Sequence, residues 1–184
     1  MRRVGLDKLE PGKKYGVIYA DPPWHFKVRS DKGKGRSPEN HYPLMSLDDI
    51  CKMNVRDISL PDSVLLLWVC DPMLDQAFKV IEAWGFQFKT VGFTWAKTNK
   101  NTLGFFTGLG YWTRGNPEMC LLATRGRPKR KSRSVNQLII SERQRHSQKP
   151  LIHKDIEDLV DGPYIELFAR RKPKDGWDYW GNEV

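Results

Sequence analysis

Short apolar runs alternate along this chain with stretches of helical periodicity, a pattern that predicts an α/β domain. Residues Tyr15–Ala20 form an apolar run that stops at Asp21, as a buried strand does at its end. Residues Ser63–Val69 are almost wholly apolar, which is typical of a central strand covered on both faces. Further strands are predicted at Phe86–Ala96, Glu118–Ala123 and Tyr164–Ala169.

Three segments carry helix signals. The clearest follows Asp71-Pro72, where we expect an N-cap and a first-turn proline, and it ends before Gly85. A second helix is predicted from Ser46, with Asp49 as its capping partner, and a third over 149–160. No repeat or change of composition divides the chain, so residues 1–184 are expected to form a single domain.

The charge balance points to an anionic partner. The 31 Lys and Arg residues outnumber the 22 Asp and Glu residues, giving a net charge of +9. The longest apolar stretch, Val64–Cys70, is too short to span a membrane, so nucleic acid is favoured over a lipid surface. Three distant cysteines indicate reduced thiols, and we expect a cytoplasmic protein. No CxxC pair or zinc-type histidine spacing occurs, so no metal is predicted.

Two basic segments do not fit the sheet pattern. Both are expected to be exposed, mobile loops that contact phosphates, and the second is expected at the mouth of the cleft, although solvated surface is the simpler interpretation of any charge run. Together with Arg114, the predicted nucleic-acid-binding residues are Lys27, Arg29, Lys32, Lys34 and Arg36 in the first segment, and Arg125, Arg127, Lys129, Arg130, Lys131 and Arg133 in the second.

The clearest chemistry follows the first predicted strand, in Asp21, Pro22, Pro23 and Trp24. Ligands of parallel α/β sheets bind at the carboxyl ends of the strands. The prolines stiffen the turn and lack N–H donors, which leaves carbonyl oxygens and a carboxylate facing that edge. Asp21 and the Pro22 carbonyl could accept both hydrogens of a planar exocyclic amine while Trp24 stacks on the ring. Attack on a methyl sulfonium would then depend on orientation and electrostatics, with no covalent intermediate.

Asp-Pro-Pro alone also occurs as an ordinary turn, but further motifs extend along nearly the whole chain. The chain resembles the MT-A family of N6-adenine methyltransferases, which includes the eukaryotic mRNA adenosine methyltransferases and shorter bacterial and phage relatives. The motifs that carry the resemblance are VIYADPPW (17–24), YPLMSLDDI (42–50), LLLWVCDPML (65–74), AWGF (83–86), TWAK (94–97), GYWTRGNPEMCLLATRG (110–126), HSQKP (146–150), IELFAR (165–170) and WDYWGNE (177–183).

The resemblance implies a Rossmann-like fold that binds S-adenosylmethionine, with helices on both faces of a mostly parallel sheet. It also implies a permuted order, in which the catalytic motif comes first and the cofactor strand comes last. Lys149 should then meet the methionine carboxylate of the cofactor, and Asp21 could serve its ammonium group. The other residues implied around the cofactor are Glu166, Phe168, Arg170, Asn182 and Glu183.

The expected reaction is therefore methyl transfer to N6 of adenine in DNA, favoured over RNA because the chain is compact. Three alternatives stay open: the same reaction on RNA, transfer to the amino nitrogen of cytosine, and a non-catalytic nucleic-acid-binding subunit. The complete motif at Asp21–Trp24 argues against the last of these. Methylation of cytosine carbon 5 is excluded, because it needs a nucleophilic Pro-Cys pair that this chain lacks. The resemblance also leaves a homodimer open.

Overall fold

The structure is a computed structural model, and it describes residues 12–25, 44–143 and 148–181. Its strands are β1 (Tyr15–Ala20), β2 (Ser59–Val69), β3 (Gln87–Thr98), β4 (Glu118–Arg125), β5 (Leu138–Glu142), β6 (Tyr164–Leu167) and β7 (Trp177–Trp180). Its helices are α1 (Leu47–Cys51), α2 (Leu74–Ala83) and α3 (His153–Leu159).

All seven strands form one sheet, in the order β5-β3-β4-β2-β1-β6-β7. Every pairing is parallel except the two made by β4, which runs antiparallel to both β2 and β3. The predicted α/β fold with a mostly parallel sheet is therefore confirmed.

Apolar clusters cover both faces of the sheet, as the predicted fold requires. One cluster joins Ile50 of α1 and Ile81 of α2 to Ile18 of β1. The other joins Ile156 of α3 to Val17 and Tyr19 of the same strand. Neighbouring residues of β1 thus point to opposite faces, because side chains alternate along a strand.

The direction of each strand decides which residues meet at the edges of the sheet. Strands β1, β2 and β6 all end at one edge, which we call the carboxyl edge. Since β4 is antiparallel, it begins at that edge with Glu118 and ends at the opposite amino edge with Arg125. The pairing of Val69 with Met119 and of Ser63 with Arg125 fixes this arrangement.

Several local signals in the sequence are confirmed. The Ser46 hydroxyl accepts a hydrogen bond from the Asp49 amide at 3.1 Å, which caps α1. Gly85 follows α2 with a φ of +81°, the left-handed conformation that glycine adopts without strain. Strand β1 has the predicted bounds.

Other predictions are wrong in detail. Asp71 does not cap α2 with its side chain, because residues Asp71–Met73 form a 3₁₀ turn before that helix. Helix α3 begins only at His153, and Lys149 lies before it, since a residue that precedes proline disfavours helical geometry. Strand β6 ends at Leu167 because Phe168 adopts a φ of +63°. Strands β5 and β7 were not predicted, so β6 is not the last strand.

Candidate active site

Asp21–Trp24 form a tight turn at the carboxyl edge, where β1 ends between β2 and β6. The Asp21 amide donates to the Leu167 carbonyl of β6 at 3.4 Å, which fixes the start of the turn. The Trp24 amide donates to the Pro22 carbonyl at 2.9 Å. A carbonyl oxygen has two lone pairs, so Pro22 can still accept a second hydrogen bond from a ligand.

Trp24 does not occupy the position expected of a stacking surface. Its side chain is only 5% exposed and packs in the apolar cluster of α1 and α2. The indole Nε1 donates to the Trp68 carbonyl of β2 at 2.9 Å. The expectation that Trp24 stacks on the target base is therefore wrong, because both its ring and its N–H are used to anchor the turn to the sheet.

Lys149 links the catalytic turn to β4. Its Nζ atom lies 3.2 Å from the Asp21 carboxylate and 2.6 Å from the Glu118 carboxylate. A second cation, Lys97 of β3, lies 2.5 Å from the other oxygen of Glu118. Two lysines and two carboxylates thus form one largely buried network at the carboxyl edge. An ammonium has three hydrogens, so Lys149 can bind a further acceptor beside these two.

This network shifts the proton affinities of its members. Burial raises the pKa of Asp21, with a smaller contribution from the negative charge of Glu118, while Lys149 opposes the shift. For Glu118, burial would raise the pKa, but Lys149 and Lys97 together lower it. For Lys149, burial acts in the opposite direction, and the two carboxylates outweigh it and raise the pKa. Asp21 is therefore a more basic carboxylate than Glu118, and Lys149 stays protonated.

Five of the seven predicted cofactor residues line one pocket, which begins at Asp21. The pocket is lined by Lys149, Glu166, Phe168 and Arg170, together with residues that were not predicted. The Glu166 carboxylate lies 2.7 Å from Nε2 of buried His153, which holds it in place. Phe168 is turned out of the strand by its positive φ and packs edge-on against Trp180.

These side chains fit the chemistry of S-adenosylmethionine. A lysine ammonium suits the carboxylate of the cofactor, and a fixed carboxylate such as Glu166 suits ribose hydroxyls. The Asp21 carboxylate suits the ammonium group of the cofactor, whereas Glu118 is already paired with Lys97 and Lys149. Asn182 and Glu183, the other two predicted cofactor residues, lie outside the described residues.

Four side chains of this site were missed in the sequence. Glu118 reaches it because β4 is antiparallel, and Lys97 because β3 ends at the same edge; neither periodicity nor spacing indicates strand direction. His153 supports Glu166, and Arg171 donates to the Lys149 carbonyl at 2.9 Å. The glutamate could have been noticed as an acid that begins an apolar strand directly after Asn116-Pro117.

The predicted nucleic-acid contacts are divided between the two edges of the sheet. Arg114 is exposed in the β3–β4 connection at the carboxyl edge. The basic segment from Arg125 starts at the amino edge, where the Arg127 amide donates to Asp62 and the Lys131 amide donates to the Leu159 carbonyl.

The expected placement of this segment at the mouth of the cleft is therefore wrong. The residues concerned are Arg125, Arg127, Lys129, Arg130 and Lys131, and Arg133 follows them in the same segment. The expectation failed because the antiparallel direction of β4 carries its end about 20 Å from the catalytic turn, at roughly 3.3 Å per strand residue. The segment is also not free, since Arg130 pairs with Val160 in a β-bridge.

The first basic segment, with Lys27, Arg29, Lys32, Lys34 and Arg36, lies outside the described residues. In the described ranges, no group of three His, Cys, Asp or Glu side chains is placed to hold a metal ion. No helix of those ranges is long and apolar enough to cross a membrane.

Comparison with known proteins gives one family. The MT-A70 family model matches residues 15–183. The Type II methyltransferase M.MunI of Mycoplasma sp is 34% identical over 200 residues, which cover 95% of this chain and 79% of that protein.

Two further relatives are much longer than this chain. The N(6)-adenosine-methyltransferase catalytic subunit METTL3 of Homo sapiens is 28% identical over 176 residues, 93% of this chain and 28% of that protein. The N(6)-adenosine-methyltransferase MT-A70-like of Arabidopsis thaliana is 28% identical over 174 residues, 92% of this chain and 24% of that protein. The chain thus spans about a quarter of the length of these two relatives.

Proposed function

The chain belongs to the MT-A70 family and is an S-adenosylmethionine-dependent methyltransferase, and from that premise we propose that it methylates the N6 amino group of adenine in DNA. The observation that carries this proposal is the Asp21 carboxylate, which lies partly buried just after β1 and beside Lys149. A carboxylate in that position can accept a hydrogen bond from an exocyclic amine and can later accept its proton.

S-adenosylmethionine supplies a methyl group on a positively charged sulfur. The residues of this chain orient the acceptor and receive its proton. The Asp21 carboxylate and the Pro22 carbonyl accept the two amino hydrogens of adenine, which aims the nitrogen lone pair along the line of transfer. The new N–C bond would form as the S–CH3 bond breaks, with its electron pair left on the neutral thioether sulfur, and the cationic nitrogen would then lose one hydrogen to Asp21. Burial favours this step, because it raises the pKa of the accepting carboxylate.

Lys149 and Glu166 would hold the cofactor, which is the other partner of the reaction. The Lys149 ammonium would bind the carboxylate of the cofactor and keep its contacts with Asp21 and Glu118. Glu166, fixed by His153, would accept hydrogen bonds from ribose hydroxyls. In this proposal Asp21 contacts the amine of the target base, and Lys149 and Glu166 hold the cofactor beside it.

DNA is proposed as the polymer on grounds of likeness. The chain shares more identity with the Type II methyltransferase M.MunI, and covers more of it, than with METTL3 of Homo sapiens. The names of the longer relatives specify adenosine, a ribonucleoside, and support RNA as the second candidate. The net charge of +9 suits either polymer, because both carry phosphates.

The experiment is a comparison of methyl incorporation from S-adenosylmethionine into matched single-stranded DNA, duplex DNA and RNA. The products are digested and separated as nucleosides, so that N6-methyldeoxyadenosine is distinguished from N4-methyldeoxycytidine and from N6-methyladenosine. We expect N6-methyldeoxyadenosine from wild-type protein and a decrease of about 100-fold or more in Asp21→Ala.

Each other outcome has a definite meaning. A cytosine product contradicts the assignment of the base, and transfer to RNA alone supports the second candidate. A folded wild-type protein that transfers no methyl group to any of the three polymers leaves only a non-catalytic binding role. Sedimentation of the wild-type protein tests the homodimer, which stays a prediction.

A further inference from the structure

Tyr19, near the end of β1, is a polar side chain of the cofactor pocket that the catalytic turn does not use. Side chains alternate along a strand, so Tyr19 lies on the same face of the sheet as Asp21. Parallel pairing places it beside Glu166 of β6. It lines the same pocket as these two carboxylates and Lys149, although the residue is only 3% exposed. Tyr19 thus forms part of the inner wall of the site.

The position of the Tyr19 ring is fixed by its neighbours. The Trp68 indole Nε1 of β2 donates a hydrogen bond to the Tyr19 hydroxyl oxygen at 2.8 Å. The rings of His153 and Trp177 contact the tyrosine ring edge-on, with centroids at 5.7 Å and 6.1 Å. A side chain that is held in this way loses little conformational entropy when it binds a ligand.

The hydroxyl hydrogen of Tyr19 has no acceptor within the part of the chain that the structure describes. The oxygen accepts from Trp68, but a tyrosine hydroxyl can also donate one hydrogen bond. Burial raises the pKa of Tyr19 well above its ordinary value, and the negative charge of Glu166 adds to the shift, so the hydroxyl keeps its hydrogen. A buried donor without an acceptor is costly. A ligand of the pocket can supply the acceptor that the protein does not.

The charges of the site show why the carboxylate of the cofactor needs a donor besides Lys149. Lys149 and Lys97 already balance the negative charges of Asp21 and Glu118. A further carboxylate bound through Lys149 alone would lie close to both of these carboxylates. A neutral hydroxyl adds a hydrogen bond without adding charge. A carboxylate has about four lone-pair sites, so it can accept from an ammonium and a hydroxyl together.

Trp68 brings the two donors together. The Nζ atom of Lys149 lies 5.5 Å from the centre of the Trp68 ring, and the N–H at the edge of the same indole donates to Tyr19. The ammonium and the hydroxyl are therefore both held by contacts with one rigid, buried side chain. Their relative position does not depend on a flexible loop.

We propose that Tyr19 is a cofactor-binding residue, whose hydroxyl donates a hydrogen bond to the carboxylate of S-adenosylmethionine while Lys149 binds the same carboxylate. This role is independent of the polymer, because it concerns only the methyl donor. It gives a binding function to the hydroxyl of a residue that the apolar pattern of β1 assigns to the core.

Calorimetric titration tests the proposal with two ligands and no nucleic acid. The ligands are S-adenosylmethionine and its decarboxylated form, which keeps the ammonium and the sulfonium but lacks the carboxylate. In Tyr19→Phe, the dissociation constant for S-adenosylmethionine should rise about tenfold, the effect of one lost hydrogen bond to a charged group. The constant for the decarboxylated form should change by less than about twofold, because that ligand has no carboxylate for the hydroxyl to bind.

Two variants separate this effect from a change in the fold. Tyr164→Phe, at the amino end of β6, removes a hydroxyl that donates to the Val160 carbonyl at 2.9 Å, and it should leave both dissociation constants unchanged. Trp68→Phe removes the hydrogen bond between Trp68 and Tyr19 but keeps the Tyr19 hydroxyl. Its loss of affinity for S-adenosylmethionine should therefore be smaller than that of Tyr19→Phe.

Lys149→Ala supplies a measurement that does not depend on how Tyr19→Phe folds. If the Tyr19 hydroxyl contacts the carboxylate, Lys149→Ala should still bind S-adenosylmethionine about tenfold more tightly than the decarboxylated form. Equal affinity of this variant for the two ligands overturns the proposal.

The other outcomes are equally definite. Unchanged affinity of Tyr19→Phe for S-adenosylmethionine overturns the proposal. An equal loss for both ligands does so too, because the hydroxyl would then contact another part of the cofactor. An equal loss in Trp68→Phe and Tyr19→Phe would show that Tyr19 only supports the fold. None of these results concerns the methylated base, so the proposed function is tested separately by the methyl-transfer products.

Discussion

The Nζ atom of Lys149 lies 2.6 Å from Glu118 and 3.2 Å from Asp21, so the residue expected to serve the cofactor also bridges two carboxylates. Glu118 raises the pKa of Asp21 through its negative charge. Asp21 is active as a carboxylate, so activity rises as the pH increases through its pKa. The substitution Glu118→Gln removes one cause of the raised pKa, and the acid limb of the kcat profile should move to lower pH.

The pH–rate profiles of wild-type protein and Glu118→Gln check this prediction, with Glu82→Gln as a control that neutralises an exposed acid on α2. Stability gives a second measurement. The lowered pKa of Glu118 stabilises the fold above the ordinary value of 4.5, and this contribution is lost as the pH falls through the lowered pKa. In Glu118→Gln, the free energy of unfolding should no longer show this part of its decrease at acid pH. If the acid limbs of the kcat profiles coincide in all three proteins, Glu118 does not influence the pKa of Asp21.

Cofactor binding depends on the positive charge of Lys149. Lys149→Ala should weaken S-adenosylmethionine binding by about 1.5–3 kcal/mol, the contribution of one hydrogen bond to a charged group. Calorimetric titration measures the change, and Lys154→Ala, which removes an exposed lysine from α3, is the control. Equal affinity in wild-type protein and Lys149→Ala would mean that Lys149 serves only to neutralise Asp21 and Glu118.

The sequence predicted the position of the active site better than the shape of its surroundings. A strand that ends at Asp21 and a strand that ends near Phe168 were both recognised, and parallel pairing places their ends together. The network at Glu118 was not predicted, because it depends on the antiparallel direction of β4, which local periodicity does not encode. The same missing direction caused the wrong placement of the basic segment from Arg125.

Strands β5 and β7 were not predicted because they too depend on their neighbours in the sheet. Strand β5 has five residues and pairs on one side only, and exposed Leu138 and Ile140 do not mark a buried face. Strand β7 has four residues at the other end of the sheet. Short edge strands acquire their structure from the neighbour they pair with, so their own residues give little signal.

Trp24 should contribute to stability more than to base binding. Trp24→Phe removes the hydrogen bond to the Trp68 carbonyl and leaves that buried acceptor unpaired, which costs about 1–3 kcal/mol. The free energy of unfolding from denaturant titration should fall by about that amount, and any lost activity should follow the fraction of unfolded protein. Trp112→Phe, in the exposed connection between β3 and β4, is the matched control and should leave stability unchanged. Full stability of Trp24→Phe together with lost nucleic-acid binding would return the stacking role to Trp24.

Two exposed arginines lie at opposite edges of the sheet, so we expect their substitution to affect nucleic-acid binding differently. Arg114 lies in the connection between β3 and β4 at the carboxyl edge, and Arg127 follows β4 at the amino edge. Arg114→Gln should weaken binding of a short oligonucleotide and lower the slope of log K against log salt by about 0.7–0.9, which corresponds to one phosphate contact. Arg127→Gln should change neither quantity, because a short substrate bound at Asp21 does not extend about 20 Å to the other edge.

Binding titrations at several salt concentrations measure both variants under the same conditions. The combined variant that neutralises Arg127, Lys129, Arg130 and Lys131 extends the comparison to the whole basic segment. Lys131 is already paired with Asp161 at 3.1 Å, so its charge is partly compensated within the protein. A larger loss of affinity in the combined variant than in Arg114→Gln would show that the strand runs past α3 toward the amino edge, and that the basic segment binds substrate despite its distance from the catalytic turn.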